Sequence, residues 1–179
     1  MNNKVRYVTG IGTRTPPKAL EAEVREVSRL LYERGYTLRS GGADGMDSLF
    51  EEGFPDRKEI YLPWKGFNGN KSPLYNISPE ALSLASKHHA VWSQLSDGAK
   101  RLMARNCYQA LGIDLNTPSD IVVCYTWDGC QSHLTRSIKT GGTGMAIELA
   151  SLNKIPIINM FNSNWKENLM LTLEEIEHA

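Results

Sequence analysis

Cysteine is scarce: Cys107, Cys124 and Cys130 are the three in 179 residues, share no CxxC spacing and cannot all pair. That argues against a disulfide framework and a structural zinc site, and it points to reduced thiols in a cytoplasmic protein. No run approaches the roughly 20 apolar residues of a membrane span, and the opening MNNKVRYVTG lacks the apolar stretch of a secretory leader, so no membrane partner is expected. An excess of one charge is also missing. Twenty basic side chains face twenty acidic ones, which leaves no global field to attract an anionic polymer, and duplex DNA is a disfavoured partner. Internal repeats and low-complexity tracts are absent, and the length fits one domain spanning 1–179.

What is present is glycine placed after short apolar runs. Residues 5–9 form a β-rich run ending in TGIGTR; Leu20, Val24, Val27 and Leu31 then repeat at helical spacing until Gly35. Residues 36–40 read as a second strand followed by SGGADGMD, with a short helix over 46–52 stopping at Gly53, and residues 59–62 read as a third. The segment PWKGFNGNKSPLYN has the composition of a loop, Ser78 and Ser96 are placed to cap two helices, and Gly112 closes the second. Residues 121–125 and 155–158 are apolar without alternation, as in parallel strands covered on both faces. A last amphipathic helix covers 165–176. Strands alternating with helices predict a three-layer, Rossmann-like α/β fold: a mostly parallel sheet of about five strands with helices on both faces.

In such a sheet ligands bind beyond the carboxyl ends of the strands, so three glycine turns should gather there. The first offers Gly10, Gly12 and Arg14; Pro16 and Pro17 occupy the place of the third glycine of the dinucleotide fingerprint, which disfavours NAD. The second offers Ser40, Gly41, Gly42, Asp44 and Asp47, although Asp44 could equally cap the following helix and Asp47 sit in its first turn. The third, IKTGGTGMAIELA, offers Gly141, Gly142, Thr143 and Gly144 at a helix N-terminus, where amides and the dipole favour an anion. Glu148 follows Gly144 by four residues, one turn on, and should point back toward that loop. KRLMARN places Arg101 and Arg105 four apart, hence on one helix face, beside Asn106. His88 and His89 are adjacent and diverge on a helix, which is not the spacing of a shared metal site; Trp64, Phe67 and Trp92 could line a base pocket or simply pack.

TGIGTR after strand one, SGGADGMD after strand two, and ARN followed by GGTGMAIE after strand four together resemble the SLOG superfamily, the Rossmann-like group that includes the Lonely Guy phosphoribohydrolases and the DNA-processing protein A family. The resemblance spans nearly the whole chain. The Lonely Guy signature GGxGTxxE is matched at Gly141, Gly142, Gly144 and Glu148, while Met145 replaces its threonine and Thr140 the preceding proline, and residues 127–139 look inserted. The resemblance implies a nucleotide or nucleotide-derived ligand held at the glycine loops and hydrolysis of the N-glycosidic bond of a nucleoside monophosphate. Glu148 would stabilise the positive charge at the anomeric carbon, with Arg105 or Arg101 on the phosphate. It implies no cofactor, no metal and a homodimer. A nucleotide sensor without turnover and a single-stranded-DNA binder of the DNA-processing type are the alternatives, the last requiring a basic groove with stacking aromatics.

Overall fold

The sequence IVVCY is buried at every position, as an all-apolar strand must be when helices cover both faces of its sheet. It forms β4 (Ile121–Tyr125) in a computed structural model that describes residues 3–179. With β1 (Arg6–Gly12), β2 (Tyr36–Ser40), β3 (Lys58–Ile60) and β5 (Ile157–Asn159) it makes a five-stranded sheet of order β3-β2-β1-β4-β5 in which every pairing is parallel. α1 (Glu21–Glu33), α2 (Met46–Glu52) and α6 (Trp165–Glu177) share a core with Val8, Leu38 and Val123 on one face. On the other face lie α4 (Asp97–Leu111) and α5 (Gly144–Leu152), α5 packing on Val122 and Cys124 while α3 (Pro79–Lys87) lies against α4. The architecture is the Rossmann-like three-layer arrangement that the pattern predicts.

Helix starts follow their local chemistry. Ser78 and Ser96 accept hydrogen bonds from Ala81 N at 3.1 Å and Ala99 N at 3.2 Å, the bonds expected of serine caps on α3 and α4. Asp44 does not cap α2: Gly45 holds the N-cap position, and Asp44 accepts instead from Asn68 Nδ2 at 2.9 Å, because the chain crosses Thr13 here and Met46 N donates to Thr13 O at 3.1 Å.

β1 runs on through Gly12 rather than ending at Thr9, with Gly10 opposite Val123 and Gly12 opposite Tyr125. A Cβ on Gly10 would lie 2.6 Å from the Phe50 ring and 2.9 Å from Leu38 Cδ1, so this glycine makes room for α2 against the sheet and offers nothing to a ligand. Strand order reverses between β1 and β4: β1 leads into β2 on one side, and β4 leads into β5 on the other. A crevice therefore opens at their carboxyl ends, where the connecting segments diverge.

Candidate functional site

That crevice holds a cleft of about 330 Å³, lined by Gly12 at the end of β1 and Arg14 just beyond it, from α2 by Asp47, from α4 by Arg105, Asn106 and Gln109, and by Lys139 through Thr143. Its floor is built around Gly41. Arg105 Nη1 donates to Gly41 O and lies 3.5 Å from Tyr61 O, and Asp47 accepts from Ala43 N at 3.2 Å. Arg105 and Asp47 are each 5% exposed, so both charges are largely out of water. Desolvation raises the Asp47 carboxyl to about 6, against the pull of Arg105; desolvation likewise lowers Arg105 to about 10, with Asp47 opposing and Arg14 adding repulsion. The pair nearly cancels, and the cleft's surplus positive charge comes from Arg14 and Lys139.

The third turn forms the opposite wall as a 3₁₀ segment, Ile138–Thr143, broken at Gly141, leading into α5. Asp128 pins it. Burial works against the charged carboxylate there, but hydrogen bonds from Ser137, Thr140 and Thr126 outweigh it and bring Asp128 down to about 2. Ser137 N donates back to Thr140 Oγ1 at 2.9 Å, completing a capping box, and Asn106 Nδ2 donates to Gly142 O at 2.9 Å from below. Above the backbone, a Cβ at Gly141 would meet nothing within 4 Å and one at Gly142 only Met103 Cε at 3.6 Å. Open backbone at the start of a helix, with Arg14 and Lys139 beside it, is suited to an anion.

The structure gathers Gly12, Arg14, Asp47, Arg105, Asn106, Gly141, Gly142 and Thr143 at this cleft and leaves the other residues singled out in the sequence elsewhere. Gly10 and Ser40 are buried behind it, Ser40 Oγ donating to Gly10 O at 2.6 Å; Gly41 is buried in its floor. Gly42 packs against Leu62, and Asp44 is exposed and does not line the cleft. Arg101 is exposed and away from the cleft, although it lies one turn from Arg105, because Arg105 turns inward to the Gly41 carbonyl. Glu148 does not line the cleft either. Its Oε2 lies 3.0 Å from His88 Nδ1 and 3.6 Å from Arg136 Nη1, and the Arg136 stem crosses Gly144, so a cation stands between the carboxylate and the turn. Gly144 is likewise covered by Arg136. Sequence reasoning missed Gln109, Lys139 and Asp128. Among the described residues no group of three or more His, Cys, Asp and Glu side chains could hold a metal, and no helix is long and apolar enough to cross a membrane.

The parallel five-stranded sheet, its strand order and the cleft at its switch point place the chain in the Rossmann-like α/β class. The sequence matches no protein-family model and no curated protein. The fold is similar to that of DNA processing protein A from Helicobacter pylori, a single-stranded-DNA-binding protein: 20% identical, covering 97% of this chain and 79% of that one, with a TM-score of 0.52. At that identity the likeness shows a shared fold. It also corrects the partner expected from the sequence. The nucleotide or nucleotide-derived small molecule expected as partner does not stand as the partner class, because the protein that shares this fold binds single-stranded DNA. The error has a physical source: a mononucleotide and a strand present the same phosphate, so a phosphate cradle in sequence does not distinguish them.

Proposed function

We propose that this chain binds single-stranded DNA through its backbone, seating a phosphate in the cleft between Gly141–Gly142 and the Arg14 and Lys139 side chains. The observation that carries this reading is the open backbone at Gly141 and Gly142 beside two cations, above a floor whose own charges compensate each other. The fold likeness to a single-stranded-DNA-binding protein supports it. Hydrolysis of a nucleotide has less behind it, since Glu148 is engaged with His88 and Arg136 outside the cleft.

Neutral overall charge sets the expected strength. Two exposed cations neutralising about two phosphates give a log–log salt slope of about −1.4, at roughly −0.7 per phosphate for single strands. Fluorescence anisotropy of a labelled mixed-sequence oligonucleotide across a salt series measures it. Arg14→Glu and Lys139→Glu should each weaken binding about tenfold and flatten the slope, whereas failure to bind at low salt sinks the reading.

A further inference from the structure

A second cavity, of about 520 Å³, opens at the carboxyl ends of β4 and β5. Its chemistry is the reverse of the cleft's. Asn162, Asn164, Asn168 and Gln131 bring amides to it, and among the described residues no cationic side chain lines it. Its one charged group is Asp128, whose oxygens already accept from Thr126, Ser137, Thr140 and Cys130 N. A phosphate would meet a fixed negative charge there with nothing to offset it, while a neutral group rich in donors and acceptors would meet amides.

Two exposed aromatic residues adjoin its lining along the chain, Trp127 before Asp128 and Phe161 before Asn162. Trp127 is 44% and Phe161 46% exposed, and both rest on Tyr125, with ring centroids 5.4 and 5.8 Å away. Single exposed aromatics need no explanation, but two backed by one buried ring and adjoining an amide-lined cavity form a shaped surface. The Phe161 ring reaches the edge of the cavity, since a Cβ on Gly129, which lines it, would lie 2.9 Å from that ring, and Trp127 packs on the same Tyr125 ring as Phe161. Cavity and cleft share a wall, since Asp128 lines the one and holds Thr140, which lines the other. Tyr125 stands beside Gly12 in the sheet, and its carbonyl accepts from Thr13 N at 3.0 Å.

We propose that this second cavity is a nucleobase pocket, in which an unpaired base of the strand seated in the cleft stacks on Trp127 and Phe161 and turns its edge to the asparagine amides. The assignment rests on the single-strand reading above and adds to it a place for the base. Stacking on an aromatic face tolerates any base, and asparagine amides match the paired donor and acceptor of a base edge. Phosphate in one cavity and base in the next divides the nucleotide between a cationic site and an uncharged one.

The test compares a mixed-sequence oligonucleotide with a strand of equal length made of abasic spacers, by anisotropy at low salt. The base-bearing strand should bind about tenfold tighter. Trp127→Ala and Phe161→Ala should remove most of that advantage and leave abasic binding unchanged, with Trp127→Phe restoring much of it. Equal affinity for the two strands in the wild type, or equal losses on both in the alanine variants, overturns the pocket. Those outcomes leave the phosphate cleft standing if Arg14→Glu still flattens the salt dependence. Failure of both strands to bind overturns both readings.

Discussion

Gly41 and Gly141 each follow a hydroxyl residue and precede a second glycine, and the fold uses them in opposite ways. A Cβ on Gly41 would collide with Gln109, Arg105 and Asp47, whose buried polar ends converge on this backbone. A Cβ on Gly141 would enter empty space. Glycine at Gly41 lets the protein's own charges close over the chain; glycine at Gly141 and Gly142 leaves the chain bare. The second turn is thus a sealed support, held by two nearly buried ions, and the third is an open surface held from behind by Asp128. A glycine-rich turn therefore marks a ligand site only where the space it vacates is not already filled by side chains from other elements.

The largest expected effect breaks the sealed turn. Gly41→Ala drives its methyl into Gln109 Nε2, Arg105 Nη1 and Asp47 Oδ2, and moving these buried polar ends off their hydrogen bonds costs about 1–3 kcal/mol. Urea unfolding should show that loss directly. An unchanged midpoint would mean that the floor repacks freely, and the contrast between the two turns would collapse.

Much of the sheet could be read from sequence because its causes are local. The apolar run of β4, the helical spacing of α1 and the serines before α3 and α4 each act within a few residues. The failures have distant causes. Gly10 lies inside β1 because of Phe50, forty residues away, and Glu148 is turned from the cleft by Arg136 and His88. Asp128 holds the third turn through residues nine and twelve positions ahead, a separation that no helical or strand period marks. Lys139 precedes the glycines, so a reading centred on the helix that follows them passes it over. Met145, in place of the threonine of the resembling family, is fully buried against α4, so that substitution serves packing rather than the cleft.

Asp47 sharpens the comparison through pH. Its folded pKa of about 6 lies above the unfolded value of about 4, so the folded state binds the extra proton between those values. The resulting stabilisation is fully present below pH about 4 and is lost as the pH rises through about 6, amounting to about 2–3 kcal/mol. Wild type should therefore lose stability relative to Asp47→Asn across that window, measured by parallel denaturant titrations at pH 4.5 and 7.5. Strand affinity should also rise as the pH falls through about 6, because the carboxylate in the cleft loses its charge, and Asp47→Asn should abolish that rise. Parallel stability curves for the two proteins would show that the Asp47 carboxyl is not desolvated.

The smallest expected change in stability tests the open turn. At Gly142 an added methyl finds only Met103 Cε at 3.6 Å, an ordinary contact, and the fold should lose no more than about 0.5 kcal/mol. The same methyl stands where an anion would approach the backbone, so strand affinity should fall about threefold to tenfold. Gly142 is the better probe than Gly141, whose φ of 66° and ψ of −155° belong to glycine and would add strain to any loss of binding. Gly41→Ala and Gly142→Ala then form a pair, the first acting on unfolding and the second on binding. If Gly142→Ala instead lowered stability as far as Gly41→Ala and left affinity intact, the third turn would be a packed support like the second, and the phosphate would have to be sought elsewhere.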